Sequence, residues 1–376
     1  MDWYVITNVD QLDTPALVVY PDRVKENIRL AVEMVGDPAR LRPHVKTHKS
    51  PEATRLMLEA GIRHFKCATI AEAEMLALAG AEDVLLAYQP IGPKAVRFAT
   101  LIRKYPATRF ACLIDNLRAA AAMAEVFAAA GLRVPVWLDL NVGMDRTGIT
   151  PGPEALQLYK EALKLKGIVP AGLHAYDGHI RDADLAERTR KCDEGFAKVV
   201  ALRESIGAPG PGVSGGGAGD LLPIIAGGSP TFPIHSRRVG IQCSPGTFVY
   251  WDKGYGDSFK EQPFSPAALV VTRVVSLRGD TRLCLDLGHK SIAAENDLAH
   301  RVYFLNASQL IPVGQSEEHL VVEAGVNHGY KIGDIFYGVP IHICPTVALY
   351  ERAFTIENQL VTGQFKNTAR DRMLSV

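Results

Sequence analysis

Ala16-Leu17-Val18-Val19-Tyr20-Pro21-Asp22 reads as a short apolar strand that runs directly into a proline-started helix. An open parallel sheet that binds a dinucleotide carries a glycine-rich fingerprint in this first strand-to-helix turn. Tyr20-Pro21-Asp22 contains no glycine, which argues for a closed barrel over an open sheet. Further short β-rich runs follow at Leu41–Thr47, His64–Thr69, Asp83–Tyr88, Arg109–Asp115, Val134–Leu140, Ile168–Tyr176 and Leu222–Ala226. Helix-like segments lie between them. Ser50-Pro51 starts one and Gly61 ends it, Thr69-Ile70-Ala71-Glu72 is a capping-box pattern for the next, and Gly80, Gly131 and Gly167 end others. Eight such strands over about 230 residues predict a parallel (β/α)8 barrel of the TIM type, placed at residues 12–240.

After residue 240 the texture changes. Ala267–Leu277, Arg282–Asp286, Arg301–Asn306, His319–Glu323 and Asp334–Val339 are short, β-branched and separated by turn residues. With no long helical pattern between them, residues 241–376 read as a mostly antiparallel β domain, with residues 1–11 packing on it. The loop Gly207–Asp220, rich in Gly and Pro, is the candidate for a variable insertion.

The composition excludes several functions. In 376 residues, 41 Lys+Arg balance 41 Asp+Glu, 22% are charged and 47% apolar. That is neither a disordered chain nor the basic footprint of a nucleic-acid binder. No apolar run approaches the ~18 residues of a membrane span, and no export signal is visible. Six scattered cysteines without a C-x-x-C pair read as reduced thiols in a cytoplasmic protein.

Three stretches carry chemistry. Arg42-Pro43-His44-Val45-Lys46-Thr47-His48-Lys49-Ser50 closes the second strand, and a period of two puts His44, Lys46 and His48 on one face. At the C-terminal end of a barrel strand such residues read as active-site groups, and a desolvated lysine there suits Schiff-base chemistry. Ala226-Gly227-Gly228-Ser229-Pro230-Thr231 and Ser244-Pro245-Gly246-Thr247 are glycine turns whose N–H groups and hydroxyls can cradle an anion. Amine and anion cradle together suggest pyridoxal phosphate; a metal-free Schiff-base aldolase acting on a sugar phosphate would use the same two features. In Pro340-Ile341-His342-Ile343-Cys344-Pro345, an imidazole and a thiol two positions apart on one side of a strand suit an open divalent-metal site, with zinc favoured over manganese.

These motifs resemble the family of D-threonine aldolases and eukaryotic-type D-serine dehydratases, with the alanine-racemase-like fold. The resemblance runs from Leu12-Asp13-Thr14-Pro15-Ala16 to Ala369-Arg370-Asp371-Arg372. It implies that Lys46 is the Schiff-base lysine and that Arg146, in Asp139-x-Asn-x-Gly-Met-Asp-Arg146, meets the cofactor's 3-oxygen. Tyr176 would pack beside the cofactor, with Gly228, Ser229, Gly246 and Thr247 on its phosphate. His342 and Cys344 would hold the metal, and His179, or a metal-bound hydroxide, would take the substrate's hydroxyl proton. Ser244 departs from the bulkier polar or basic residue found in relatives, so the partner of the ring nitrogen is undefined. His342-x-Cys344 is similar to the dehydratase branch. The longer stretches Gly172–His179 and Gln315–His319 are similar to the aldolase branch, and they weigh more. The resemblance therefore implies retro-aldol cleavage of a D-3-hydroxy amino acid to glycine and an aldehyde, by a homodimer. A D-serine or D-3-hydroxyaspartate dehydratase is the alternative, and a non-enzymatic pyridoxal-phosphate-binding protein the third reading.

Overall fold

The structure, a computed structural model, describes residues 2–208 and 221–376. The chain divides into two compact units, one of Met1–Leu30, Thr47–Ala53 and Thr247–Arg370, the other of Ala31–Lys46, Thr54–Gly246 and Asp371–Val376. The division is interleaved and is not a single cut at residue 240. Most of the loop Gly207–Asp220 lies outside the described residues.

Strand β1 (Ala16–Val19) corrects one expectation. It is not a barrel strand: it pairs antiparallel with residues 268–271 and parallel with residues 354–355. Its four residues are all buried, and a fully apolar run of that length carries no mark of which sheet it joins.

The parallel unit contains β2 (His64–Cys67), β3 (Asp83–Leu86), β4 (Arg109–Ile114), β5 (Val134–Leu140), β6 (Ile168–Ala175), β7 (Ile224–Ala226) and β8 (Ile241–Cys243), hydrogen-bonded in that order. The strand Ile241–Cys243, placed beyond the barrel by the sequence pattern, is its last member. The segment after Leu41 bridges the two edges of this curled sheet, with Leu41 paired to Cys243 and His44 to Lys66. The eighth position is therefore held by isolated bridges. Helices cross between the strands as their ends dictate. For Ile70–Ala79, Thr69 Oγ1 accepts from the Glu72 N–H at 3.0 Å, Glu72 accepts from the Ala68 N–H at 2.6 Å, and Gly80 stops the helix at φ 92°.

Side chains pointing into the barrel form layers. Leu85, Leu113, Trp137 and Ile225 pack as one apolar cluster. Gly172 leaves room for Trp137, since a Cβ there would lie 2.3 Å from the indole. Two residues further along, on the same faces of β5 and β6, stand Asp139 and His174. The apolar layer thus gives way to a polar one at the strands' C-terminal ends.

The second unit is a nine-stranded sheet of β1 with β9 (Ala268–Arg278), β10 (Arg282–Leu285), β11 (Val302–Phe304), β12 (Ile311–Gln315), β13 (Leu320–Glu323), β14 (Ile335–Pro340), β15 (Arg352–Glu357) and β16 (Leu360–Lys366). Apart from the β1–β15 pair its ladders are antiparallel. Ile6, Leu12, Val18, Leu269, Val271 and Val339 share one of its cores, with Trp3, Tyr4 and Val9 packed against them.

Candidate active site

The barrel unit holds a cavity of about 270 Å³ at the C-terminal ends of its strands, near the lower end of small-molecule pockets. Lys46, Lys66, Asp139, Arg146, His174 and Tyr176 line it. Lys46 and Arg146 outnumber the one carboxylic acid, Asp139, which favours an anionic ligand.

Lys46 sits just after the bridged segment. The His44 N–H donates to the Pro245 carbonyl at 2.9 Å, so the lysine segment is tied to the second glycine turn. That turn meets the first one, the Gly246 N–H lying 3.4 Å from Ser229 Oγ. Ser229 and Thr247 are buried. Tyr176 is fitted between glycines: a Cβ at Gly178 would lie 2.1 Å from its hydroxyl, and one at Gly228 would lie 2.9 Å from its ring. Arg146 lies against the same ring, 5.1 Å from its centroid.

Behind the first glycine turn is a buried brace. Thr231 Oγ1 accepts from the Gly228 N–H at 3.3 Å and donates to Asp177 at 2.7 Å, while Asp177's other oxygen meets His235 Nε2 at 2.8 Å. Cys192 Sγ lies 3.3 Å from His235 Nε2 and 3.6 Å from Asp177, so Asp177, Cys192 and His235 have the spacing of a three-ligand metal cluster. Hydrogen bonding accounts for the group. Arg238 donates to His235 Nδ1 at 2.6 Å and to Cys192 Sγ at 3.7 Å, bringing a fixed positive charge beside the group. Burial also pushes the Cys192 thiol up to about 12, away from the thiolate that binds metal.

Lys66, Asp139 and His174 were missed as site residues. Asp139 Oδ1 accepts from His174 Nδ1 at 2.7 Å, and Thr147 donates to its other oxygen at 2.9 Å. Lys66 Nζ lies 3.4 Å from His174 Nε2. Burial first, then the neighbouring charge of Lys46, lowers the Lys66 amine to about 7. Burial likewise lowers His174, against the pull of Asp139. Asp139 is lowered too, because its bonds to His174 and Thr147 and the charge of Lys66 outweigh its burial. The available signal was one polar residue in an apolar strand end: Phe65-Lys66-Cys67, Leu138-Asp139-Leu140 and Leu173-His174-Ala175.

Other expected residues fall elsewhere. His48 does not share a face with Lys46. The chain leaves extended pairing after His44 and turns, with Lys49 at φ 51°, so a period of two no longer applies. His48 is buried in the β unit against Tyr250, its Nδ1 accepting from the Ser50 N–H at 3.0 Å. His179 is exposed and absent from the cavity lining; its Nε2 would lie 2.7 Å from a Cβ on Gly143.

His342 and Cys344 are joined in the β unit, but not on a strand: His342 is the residue before the short helix Ile343–Val347. Glu295 holds His342 Nδ1 at 2.5 Å, the orientation a carboxylate gives a metal-binding histidine, so an ion would take Nε2. Cys344 Sγ is 3.1 Å from Thr47 Oγ1 and 3.8 Å from Thr247 Oγ1. Burial alone would lower His342, but its bond to Cys344, with Glu295 and Asp252, raises it to about 9. Without an ion this is an imidazolium, and metal binding would release that proton.

A barrel with an amine just past an isolated bridge, facing an anion-suited cavity beside two joined glycine turns, has the layout of a cofactor-binding barrel enzyme. Residues 19–241 match the family described as alanine racemase, N-terminal domain, and residues 267–356 match a serine dehydratase domain. The chain belongs to the alanine racemase N-terminal domain family. It is 27% identical over 371 residues to a D-threonine aldolase of Arthrobacter, covering 96% of this chain and 93% of that one. It is 26% identical to a D-threo-3-hydroxyaspartate dehydratase of Delftia, covering 90% of this chain and 93% of the relative. A solved D-threonine aldolase from Filomicrobium marinum superposes with a TM-score of 0.84 at 24% identity, covering 95% of both chains. With these relatives, the chain is a pyridoxal-phosphate-dependent lyase. The cofactor fits the residues present: an amine on the cavity, a permanent cation against Tyr176, and a cradle at Gly228 that a side chain would fill.

Proposed function

We propose that the protein cleaves D-3-hydroxy amino acids such as D-threonine to glycine and an aldehyde. The observation that carries this is Lys46 and Arg146 facing one cavity, in a chain that aligns with a D-threonine aldolase over 96% of its length. When bound, pyridoxal phosphate supplies the electron sink for the breaking Cα–Cβ bond, and a zinc or manganese ion supplies a Lewis acid for the β-hydroxyl. Lys46 contributes the amine that anchors the cofactor. Arg146 offers a permanent cation to its ring oxygen, and Tyr176 offers a flat face that excludes water. Gly228, Ser229, Gly246 and Thr247 supply donors for the phosphate. His342 and Cys344 would hold the ion, and His179, exposed and outside the cavity lining, would take the hydroxyl proton.

Dehydration is the second reading, supported by His342-x-Cys344. A D-threo-3-hydroxyaspartate dehydratase has been solved as a histidine-to-alanine variant and, in a metal-free form, as a variant with alanine for a cysteine two positions further on. Incubation with D-threonine, pyridoxal phosphate and a divalent metal separates the two. Glycine and acetaldehyde are expected; 2-oxobutanoate and ammonia would overturn the aldolase reading. A homodimer is proposed on the resemblance, and sedimentation of the loaded enzyme at twice the monomer mass is expected. No helix among the described residues is long and apolar enough to cross a membrane, and we propose a cytoplasmic location from the scattered thiols.

A further inference from the structure

Lys66 lies beside the cofactor lysine on the neighbouring strand. Its backbone pairs with His44, two residues before Lys46, and both side chains line one cavity. The Lys66 side chain is almost wholly removed from solvent, at 2% exposure. A buried amine is held there at a cost, so its aim matters. Asp139 accepts the His174 Nδ1–H, which leaves Nε2 an acceptor directed at Lys66 Nζ 3.4 Å away. Arg146 and Lys66 approach the same Tyr176 ring, at 5.1 and 5.6 Å.

We propose that Lys66 is a second acid–base amine of the cofactor cavity, and that His174 and Asp139 are the positioning residues that aim it. The inference rests on the pyridoxal-phosphate reading of the cavity. A proton taken up at Nζ from a bound group is shared with His174 Nε2, and the Asp139 carboxylate behind the imidazole stabilises the added charge. Returning the proton leaves the amine neutral, and no further reactant is consumed. The charges that set this balance are Lys46 and Arg42, which disfavour the proton, and Asp139 and Asp177, which favour it. Burial disfavours it most, which lets the amine change state near neutral pH, where a lyase with an amino acid substrate works.

Two measurements test this. In apoprotein carrying 15N at lysine Nζ, one resonance absent from Lys66→Met is expected to titrate at about pH 7. If every lysine titrates near the ordinary value of about 10.4, the proposal fails whatever the cofactor does. In the loaded enzyme, the visible cofactor band is titrated against pH. A proton on Lys66 opposes a second one nearby, so the midpoint is expected to rise by about half a unit or more in Lys66→Met. Asp139→Asn is expected to move the midpoint, whereas Lys66→Arg, always charged, keeps it at or below the wild-type value. A Lys66→Met midpoint coincident with wild type overturns the proposal. Borohydride reduction and peptide mapping report separately on the cofactor reading: label on Lys46 supports it, and absence of label there sinks it without touching the 15N result.

Discussion

Arg42 is 1% exposed and carries a charge that burial would make intolerable alone. Its guanidinium donates to Asp83 Oδ1 at 2.5 Å and to Gln242 Oε1 at 2.8 Å. Asp83 also meets Arg109, whose side chain is 64% exposed. Replacing Asp83 with Asn leaves Arg42 buried without a counter-charge, and a loss of about 3 kcal/mol or more is expected in urea unfolding. Arg109→Gln removes a partner that water already screens, and a loss under about 1 kcal/mol is expected. The same reasoning explains which site residues could be read from the chain. Lys46 stands in a run with two imidazoles, and that density of polar groups sets it apart from an ordinary strand end. Lys66, Asp139 and His174 stand singly in apolar strands. Each looks like an ordinary strand residue until the barrel closes and brings them together. His48 departs in the opposite direction, because the backbone stops being extended after His44 and strand alternation does not reach it.

At the scale of elements, ends were legible and partners were not. Thr69, Glu72 and Gly80 bound the helix Ile70–Ala79 as their types require, because capping is a local matter of one hydroxyl, one carboxylate and one left-handed residue. Thr69→Ala is expected to cost about 1 kcal/mol, read as a shift of the urea midpoint, and Thr69→Ser to recover most of it. Strand membership is set by distant chain. Ala16–Val19 pairs with residues some 250 and 335 positions later, which no local pattern encodes. Ile241–Cys243 has only three residues, too short for alternation to mark it, and was assigned to the neighbouring unit. The two-residue spacing of His342 and Cys344 suggests a strand, whereas the structure sets them at the start of a short helix. Pro340 ends β14, and the chain then turns into a short helix whose first N–H, on Ile343, donates to Asp252 at 3.1 Å.

Across the whole molecule, buried bases set how stability follows pH. Lys66 is held at about 7 in the fold against about 10.4 in an unfolded chain. Between those values the unfolded chain binds the proton and the fold does not, so the Lys66 contribution is fully present above about pH 10.4 and is lost as pH falls toward 7. His342 acts oppositely: raised to about 9, it favours the fold below about pH 6.5, and that favour fades as pH rises through its folded value. Its side chain is 47% exposed, so solvent weakens the effect. The total therefore mixes two slopes of opposite sign, and the wild-type curve alone would not isolate either. Subtracting Lys66→Met from wild type removes His342, which is common to both. Wild type is expected to lose about 1–3 kcal/mol relative to Lys66→Met between pH 9 and pH 7, measured by urea unfolding of the apoproteins. A difference independent of pH would mean that the fold holds this amine protonated throughout. The expected slope would instead mark a site that accepts lower stability at neutral pH in order to keep a neutral amine beside Lys46.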